Sequence, residues 1–170
     1  LRALGENYVQ EARDKIPAVA AALAASGCAP PRWHLIGRLQ RNKARDAVRT
    51  FDVIETLDRA ELGDALDQRA GELGRRLSVL IQVNLSGEVQ KGGVAPAQAA
   101  ALLALSERWA QLDVIGLMTV PAASADPQAS RAAFRRLREL RDDLRARPGG
   151  RQLAQLSMGM SADFEVAVEE

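Results

Sequence analysis

Leu77-Ser78-Val79-Leu80-Ile81-Gln82-Val83-Asn84-Leu85 is the stretch on which the fold turns. Its near-continuous apolar run predicts a strand covered on both faces, as in a parallel sheet flanked by helices. The chain alternates in one rhythm on either side of it. Upstream, residues 51–57 read as a strand closed by Asp58. Residues 59–74 follow as a helix, with Leu62, Leu66, Ala70 and Leu73 at helical spacing. Before these come a strand at 32–37 and a short basic helix at 42–50. Residues 1–5 read as the end of a first strand. A helix at 8–26 follows, with Val9, Ile16, Val19, Ala20 and Leu23 as its apolar positions; Pro17 predicts a kink or a division into two pieces.

Downstream, 86–93 is a polar loop and Pro96 opens a helix that runs to about residue 110. Residues 112–120 form another strand and 121–126 a loop. A long helix at 127–147 has Phe134, Leu137, Leu140 and Leu144 as its buried stripe. Its many arginines alternate with Glu139, Asp142 and Asp143, the pattern of a solvated face. Pro148-Gly149-Gly150 ends it, residues 152–156 read as a strand, and 162–168 start a last helix.

Strand and helix thus alternate about six times, without hairpin signals or an internal repeat. That order predicts an α/β fold with a parallel sheet. An open doubly wound sheet and a (β/α) barrel both satisfy it. The first would carry Gly-x-Gly-x-x-Gly after an early strand, and the chain has none. Polar or functional residues stand instead at strand ends: Asn7, His34, Asp58, Asn84, Met118 and Ser157. A barrel concentrates its chemistry there. A complete barrel needs eight strands and typically about 250 residues. The expectation is therefore one domain over residues 1–170 that is an incomplete (β/α)8 TIM-type barrel, cut at both ends.

Composition narrows the class. Apolar residues make up 47% of the 170-residue chain and charged residues 26%, which suits a soluble globular domain with a sizeable core. Lysine and arginine total 23 against 22 aspartate and glutamate, a net charge of +1 that makes no electrostatic case for nucleic acid. No apolar run approaches a membrane span and no signal peptide is visible. The single cysteine, Cys28, excludes an internal disulfide framework and fits a reducing, cytoplasmic setting. Neither a heptad nor an exposed apolar helix face sets an oligomeric state.

Leu156-Ser157-Met158-Gly159-Met160-Ser161 joins the last strand to the last helix. Free backbone N–H groups, a glycine that admits close approach and two hydroxyls are what a phosphate needs. The competing reading makes Ser161 an N-cap and Gly159 a plain turn residue.

Several blocks together resemble one family. Gly5-Glu6-Asn7-Tyr8-Val9-Gln10-Glu11 resembles a GEN-x-x-QE signature, and Trp33-His34-Leu35-Ile36-Gly37-Arg38-Leu39-Gln40-Arg41-Asn42-Lys43 a WH-x-IG-x-LQ-x-NK block. Residues 79–84, then 88–91 with Gly93, then Gly116-Leu117-Met118, and finally 156–161 with Asp163-Phe164-Glu165, follow in the same order. The family is YggS/PROSC, the pyridoxal phosphate homeostasis proteins. The resemblance implies a barrel like the N-terminal domain of alanine racemase and the cofactor pyridoxal 5′-phosphate (PLP). It implies an aldimine lysine at the end of a first strand upstream of Leu1. None of Lys15, Lys43 and Lys91 matches that position.

By the same resemblance the cofactor-binding residues are Asn7 near the ring, His34, Met118, and Ser157, Gly159, Met160 and Ser161 on the phosphate side. No metal is implied. For His34 a hydrogen-bonded interior residue is the competing reading. Arg41 and Lys43 either help close the barrel mouth or belong to a solvated helix start. Glu88 and Lys91 either pair or touch a ligand. Trp33 is expected to pack on the face opposite His34. The implied role is non-catalytic capture and delivery of PLP, with PLP-dependent apo-enzymes as recipients and a monomer for the full-length protein. A PLP-dependent racemase is the alternative. It needs acid/base groups on both faces of the substrate, and the chain offers one histidine and one tyrosine. A third reading, a barrel enzyme acting on a phosphorylated sugar, would rest on Asp58 as catalytic carboxylate or else leave it as an N-cap.

Overall fold

The structure, a computed structural model, describes residues 2–88 and 91–170. Leu1, Val89 and Gln90, which fall in the first expected strand and the loop after residue 85, lie outside the described residues. Six strands form one sheet in sequential order: β1 (Ala3–Glu6), β2 (Arg32–Leu35), β3 (Val53–Leu57), β4 (Leu77–Gln82), β5 (Leu112–Met118) and β6 (Gln155–Ser157). Every neighbouring pair is parallel. The helices between and after them are α1 (Val9–Ala25), α2 (Ala44–Thr50), α3 (Ala60–Glu72), α4 (Pro96–Ala104), α5 (Arg131–Arg145) and α6 (Phe164–Glu169).

Period-two alternation divides the strand residues between two faces. Trp33, Leu35, Ile54, Val79, Ile81, Val114 and Leu117 join the main core against the helices. Val53, Leu80 and Met118 form a second small cluster, with Ile115 against it, on the other face. That second face is concave. Glu55 on β3 hydrogen-bonds Ser157 on β6, although β4 and β5 stand between them. In a flat sheet, three inter-strand steps amount to about 14 Å, which two side chains cannot bridge with a hydrogen bond. The sheet therefore curls as part of a barrel wall. The six βα units are an incomplete (β/α)8 barrel, and the outer edges of β1 and β6 have no partner strand among the described residues.

Several elements differ from the sequence expectation for identifiable reasons. α1 runs unbroken through Pro17. Pro17 lies on its exposed side, where water can satisfy the carbonyl that loses its N–H partner. The helix from Pro96 tightens into a 3-10 turn at Leu105–Arg108, and Trp109 is extended. The turn delivers the Trp109 indole onto α3, where Nε1 donates to Asp64 Oδ1 at 2.9 Å and the ring fills the space left by Gly63. The basic segment starts as a 3-10 turn at Arg41–Lys43, and Pro127–Ser130 is another 3-10 turn, capped by Asp126. The last strand begins later than expected and includes Ser157, because β5 extends far enough for Met118 to pair with it. Residues 150–152 are instead a 3-10 turn entered through Gly149 at φ +75°.

Candidate functional site

The concave face collects the polar side chains that its strands carry. On β2, Trp33 and Leu35 go to the core, so His34 between them faces inward beside Val53. On β3, Val53 and Glu55 share that face, and Glu55 is buried at 5% exposure. His34 Nδ1 lies 2.6 Å from Glu55 Oε1, and the Ser157 hydroxyl donates to Glu55 Oε2. An ionised carboxylate only accepts, so His34 carries its proton on Nδ1 in this arrangement. One carboxylate thus ties β2, β3 and β6 together. Met118 pairs in register with both Gln82 and Ser157 and forms part of the apolar floor.

Ser157 accordingly belongs to a strand rather than to the turn, and its one O–H is committed to Glu55. The turn proper is Met158 to Asp163. Gly159 sits at φ +86°, and a Cβ there would approach Ala167 Cβ to 2.7 Å, so glycine is required twice over. The buried Asp163 carboxylate accepts the Met160 N–H at 2.6 Å, and Asp163 is the residue that precedes α6. Ser161 is therefore not the N-cap. It is exposed, as is Met160. Among the described residues, the N–H groups of Gly159, Ser161 and Ala162 have no acceptor within the protein.

The structure brings His34, Met118 and Ser157 together and places Gly159, Met160 and Ser161 directly after them. Asn7 is elsewhere. It follows β1, packs against Gly37, and lines a cavity of about 620 Å³ with Tyr8, Gln10, Arg38, Gln40, Lys43 and Arg59. The other strand-end residues have structural partners. Asp58 neither caps α3 nor stands free, because it is ion-paired with Arg59. Asn84 donates to the carbonyls of Glu88 and Lys91 at 2.9 and 3.2 Å and accepts from Ser86 and Gly87, holding the loop after β4. Lys91 pairs with Glu88 at 2.9 Å and donates to the Pro121 carbonyl at 3.0 Å. Arg41 is exposed at the start of its 3-10 turn.

Glu55 is the residue the sequence reading missed. Its signal was present: a carboxylate two positions after Val53, in mid-strand between the uncharged Ile54 and Thr56. Such a group is buried only with partners. Which partners it takes depends on β6, about a hundred residues away.

The alanine racemase N-terminal domain family matches residues 1–169. The pyridoxal phosphate homeostasis protein of Aquifex aeolicus is 42% identical over 170 residues, covering 100% of this chain and 71% of that protein. The human protein of the same name is 36% identical over 180 residues, covering 99% of this chain and 62% of its own length. Among solved structures, PipY of Synechococcus elongatus with PLP bound superposes with a TM-score of 0.82 at 37% identity, covering 98% of this chain and 74% of PipY. Alanine racemase of Clostridium difficile shares the fold, with a TM-score of 0.71 at 14% identity over 95% of this chain and 40% of that one. Among the described residues no helix is long and apolar enough to cross a membrane. The chain belongs to the pyridoxal phosphate homeostasis protein family, built on the barrel of the alanine racemase N-terminal domain.

Proposed function

We propose that residues 1–170 act as one PLP-binding unit that serves PLP homeostasis by reversible capture and delivery, without catalysis of its own. The observation that carries this reading is the turn after β6. It offers three N–H groups without a protein acceptor, beside an exposed serine hydroxyl and a glycine that keeps the backbone approachable. That donor set suits a phosphate. The apolar floor at Val53, Leu80 and Met118 suits the ring of the same molecule. The residues present therefore fit the cofactor.

In this reading Gly159, Met160 and Ser161 form the phosphate side, with Met160 contributing its position rather than its N–H. Ser157 and His34, fixed by Glu55, orient what lies on the floor. Met118 gives the ring an apolar contact, and Asn7 stands on the rim beyond β1. When bound, PLP supplies an electrophilic aldehyde and an electron-withdrawing ring. The amines of this chain are differently occupied. Lys15 is ion-paired with Glu6, whose hydrogen bond holds the ammonium above its usual range. Lys91 is held by Glu88 and the Pro121 carbonyl. Neither is prepared as a nucleophile.

The absence of a catalytic role is supported by the placement of the two acid/base candidates. His34 is on the concave face, bound to Glu55, whereas Tyr8 is 61% exposed on the wall of the cavity beside α1. Two-base chemistry needs both groups at one substrate carbon. PLP-dependent apo-enzymes are the proposed recipients, and the cytoplasm the proposed setting.

The test is an absorbance titration of the chain with PLP, followed by borohydride reduction and mass analysis. Saturable binding that dialysis reverses, with no reduced adduct on Lys15, Lys43 or Lys91, is the expected result. A chain that shows no saturable binding overturns the reading. An adduct on any of the three lysines overturns the site assignment.

A further inference from the structure

The cavity between the start of α1 and the loop after β2 is not explained by the reading above. It is lined on one side by Val9 and Gln10, on another by Arg38, Gln40 and Lys43, and is closed by Arg59. No carboxylate lines it. Its cations are not equivalent. Arg59 is spent on Asp58 and on the Leu39 carbonyl, the latter at 2.9 Å. The side chains of Arg38 and Lys43 have no ion-pair or hydrogen-bond partner among the described residues, and neither do the side-chain amides of Gln10 and Gln40.

Donors without a protein acceptor therefore converge on one concavity from two elements. Several other cations of the described residues are matched by a carboxylate: Arg76 has Asp113, Arg108 has Asp64, and Arg131 and Arg135 share Glu170. The start of α1 points the same way, since Tyr8 provides no side-chain cap and leaves its first N–H groups to solvent. The side chains make the site, and the helix end adds to it. A planar guanidinium, an ammonium and two amides around a space of about 620 Å³ suit a compact, multiply charged oxyanion on a small molecule.

We infer that this cavity is a second anion site, separate from the turn after β6, and that its ligand is a phosphate monoester held by Arg38 and Lys43. Gln10 and Gln40 complete the donor set, and Arg59 anchors the loop through Leu39. The inference goes beyond the PLP reading: the cavity shares Asn7 with it, but none of His34, Met118, Ser157, Gly159 and Ser161 lines the cavity.

The test is isothermal titration of the full 170-residue chain with inorganic phosphate at low ionic strength, where screening is weak. Arg38→Ala and Lys43→Ala are each expected to weaken phosphate binding about ten-fold, the loss of one charge-assisted contact. Lys43→Arg should retain most of the affinity. Arg151→Ala, which removes an exposed cation that does not line the cavity, should leave this binding unchanged. Arg38 is exposed and neither side chain makes a hydrogen bond among the described residues, so the variants should fold, which far-ultraviolet circular dichroism checks. Phosphate binding that is lost in Ser161→Ala and kept in the double variant R38A/K43A would put the anion at the turn and overturn the inference while sparing the PLP reading. Absence of phosphate binding overturns it outright. Tighter binding of succinate than of phosphate overturns the phosphate class. A chain that fails to bind PLP but keeps an Arg38-dependent phosphate isotherm supports the cavity and sinks only the PLP reading.

Discussion

Ser157, on the last strand, donates its hydroxyl proton to Glu55, on the third, across the concave face of the sheet. The bond exists because the wall curls, and the same carboxylate holds His34 at 2.6 Å. Glu55→Ala should therefore loosen two strands at once. Leaving buried donors without an acceptor costs about 2 kcal/mol. Glu55→Gln, which keeps a carbonyl oxygen for one of the two donors, should cost about half that. Urea unfolding of both variants measures the difference, and an unchanged midpoint for Glu55→Ala would show that the network contributes nothing.

Gly159→Ala should damage the turn more than its size suggests. The new methyl would sit 2.7 Å from Ala167 Cβ at a φ of +86°. Relief requires α6 to move away from the sheet, at a cost of about 1–3 kcal/mol. The same change should weaken PLP binding, because the free N–H groups move with the backbone. Thermal unfolding and a PLP titration on one preparation separate the two effects.

The docking of α6 should fail in acid. Glu170 is hydrogen-bonded by Arg135 at 2.8 Å and by Arg131 at 3.2 Å, and those bonds, Arg135 first, push its carboxyl from 4.5 down to about 2. A depressed folded-state value means that the stabilisation is complete above 4.5 and is lost as the pH falls from there through about 2. Hydrogen exchange of the α6 amides should accelerate across that window. In Arg135→Ala the acceleration should begin at higher pH. Exchange that does not depend on pH in this range would remove Glu170 from the account.

The outer edges of β1 and β6 present unpaired backbone groups among the described residues. Edge strands of this kind template pairing with other chains. The 170-residue chain should therefore self-associate as its concentration rises. Light scattering behind size-exclusion chromatography reads this directly. A monodisperse monomer at every concentration would show that the short edges, four and three residues long, are too small to pair.

The strand–helix rhythm was legible in the chain alone, because burial on both faces of a parallel sheet leaves continuous apolar runs such as Leu77–Gln82, and helices leave a 3.6-residue period. That Trp33 and His34 face opposite sides of the sheet follows from period two alone. The motif blocks carried the family. What the sequence could not determine was partnership. Ser157 looked like a turn hydroxyl, and only its pairing with Met118 made it a strand residue facing Glu55. Asp58 looked like a cap or a catalyst until Arg59 was seen against it. Lys43 fitted either the barrel mouth or the solvated start of a helix, and only the approach of α1 made it, with Arg38, part of the wall of a cavity. Local patterns record which way a side chain points. Which group it meets is set by the curl of the whole sheet, which brings together residues that are far apart in the chain.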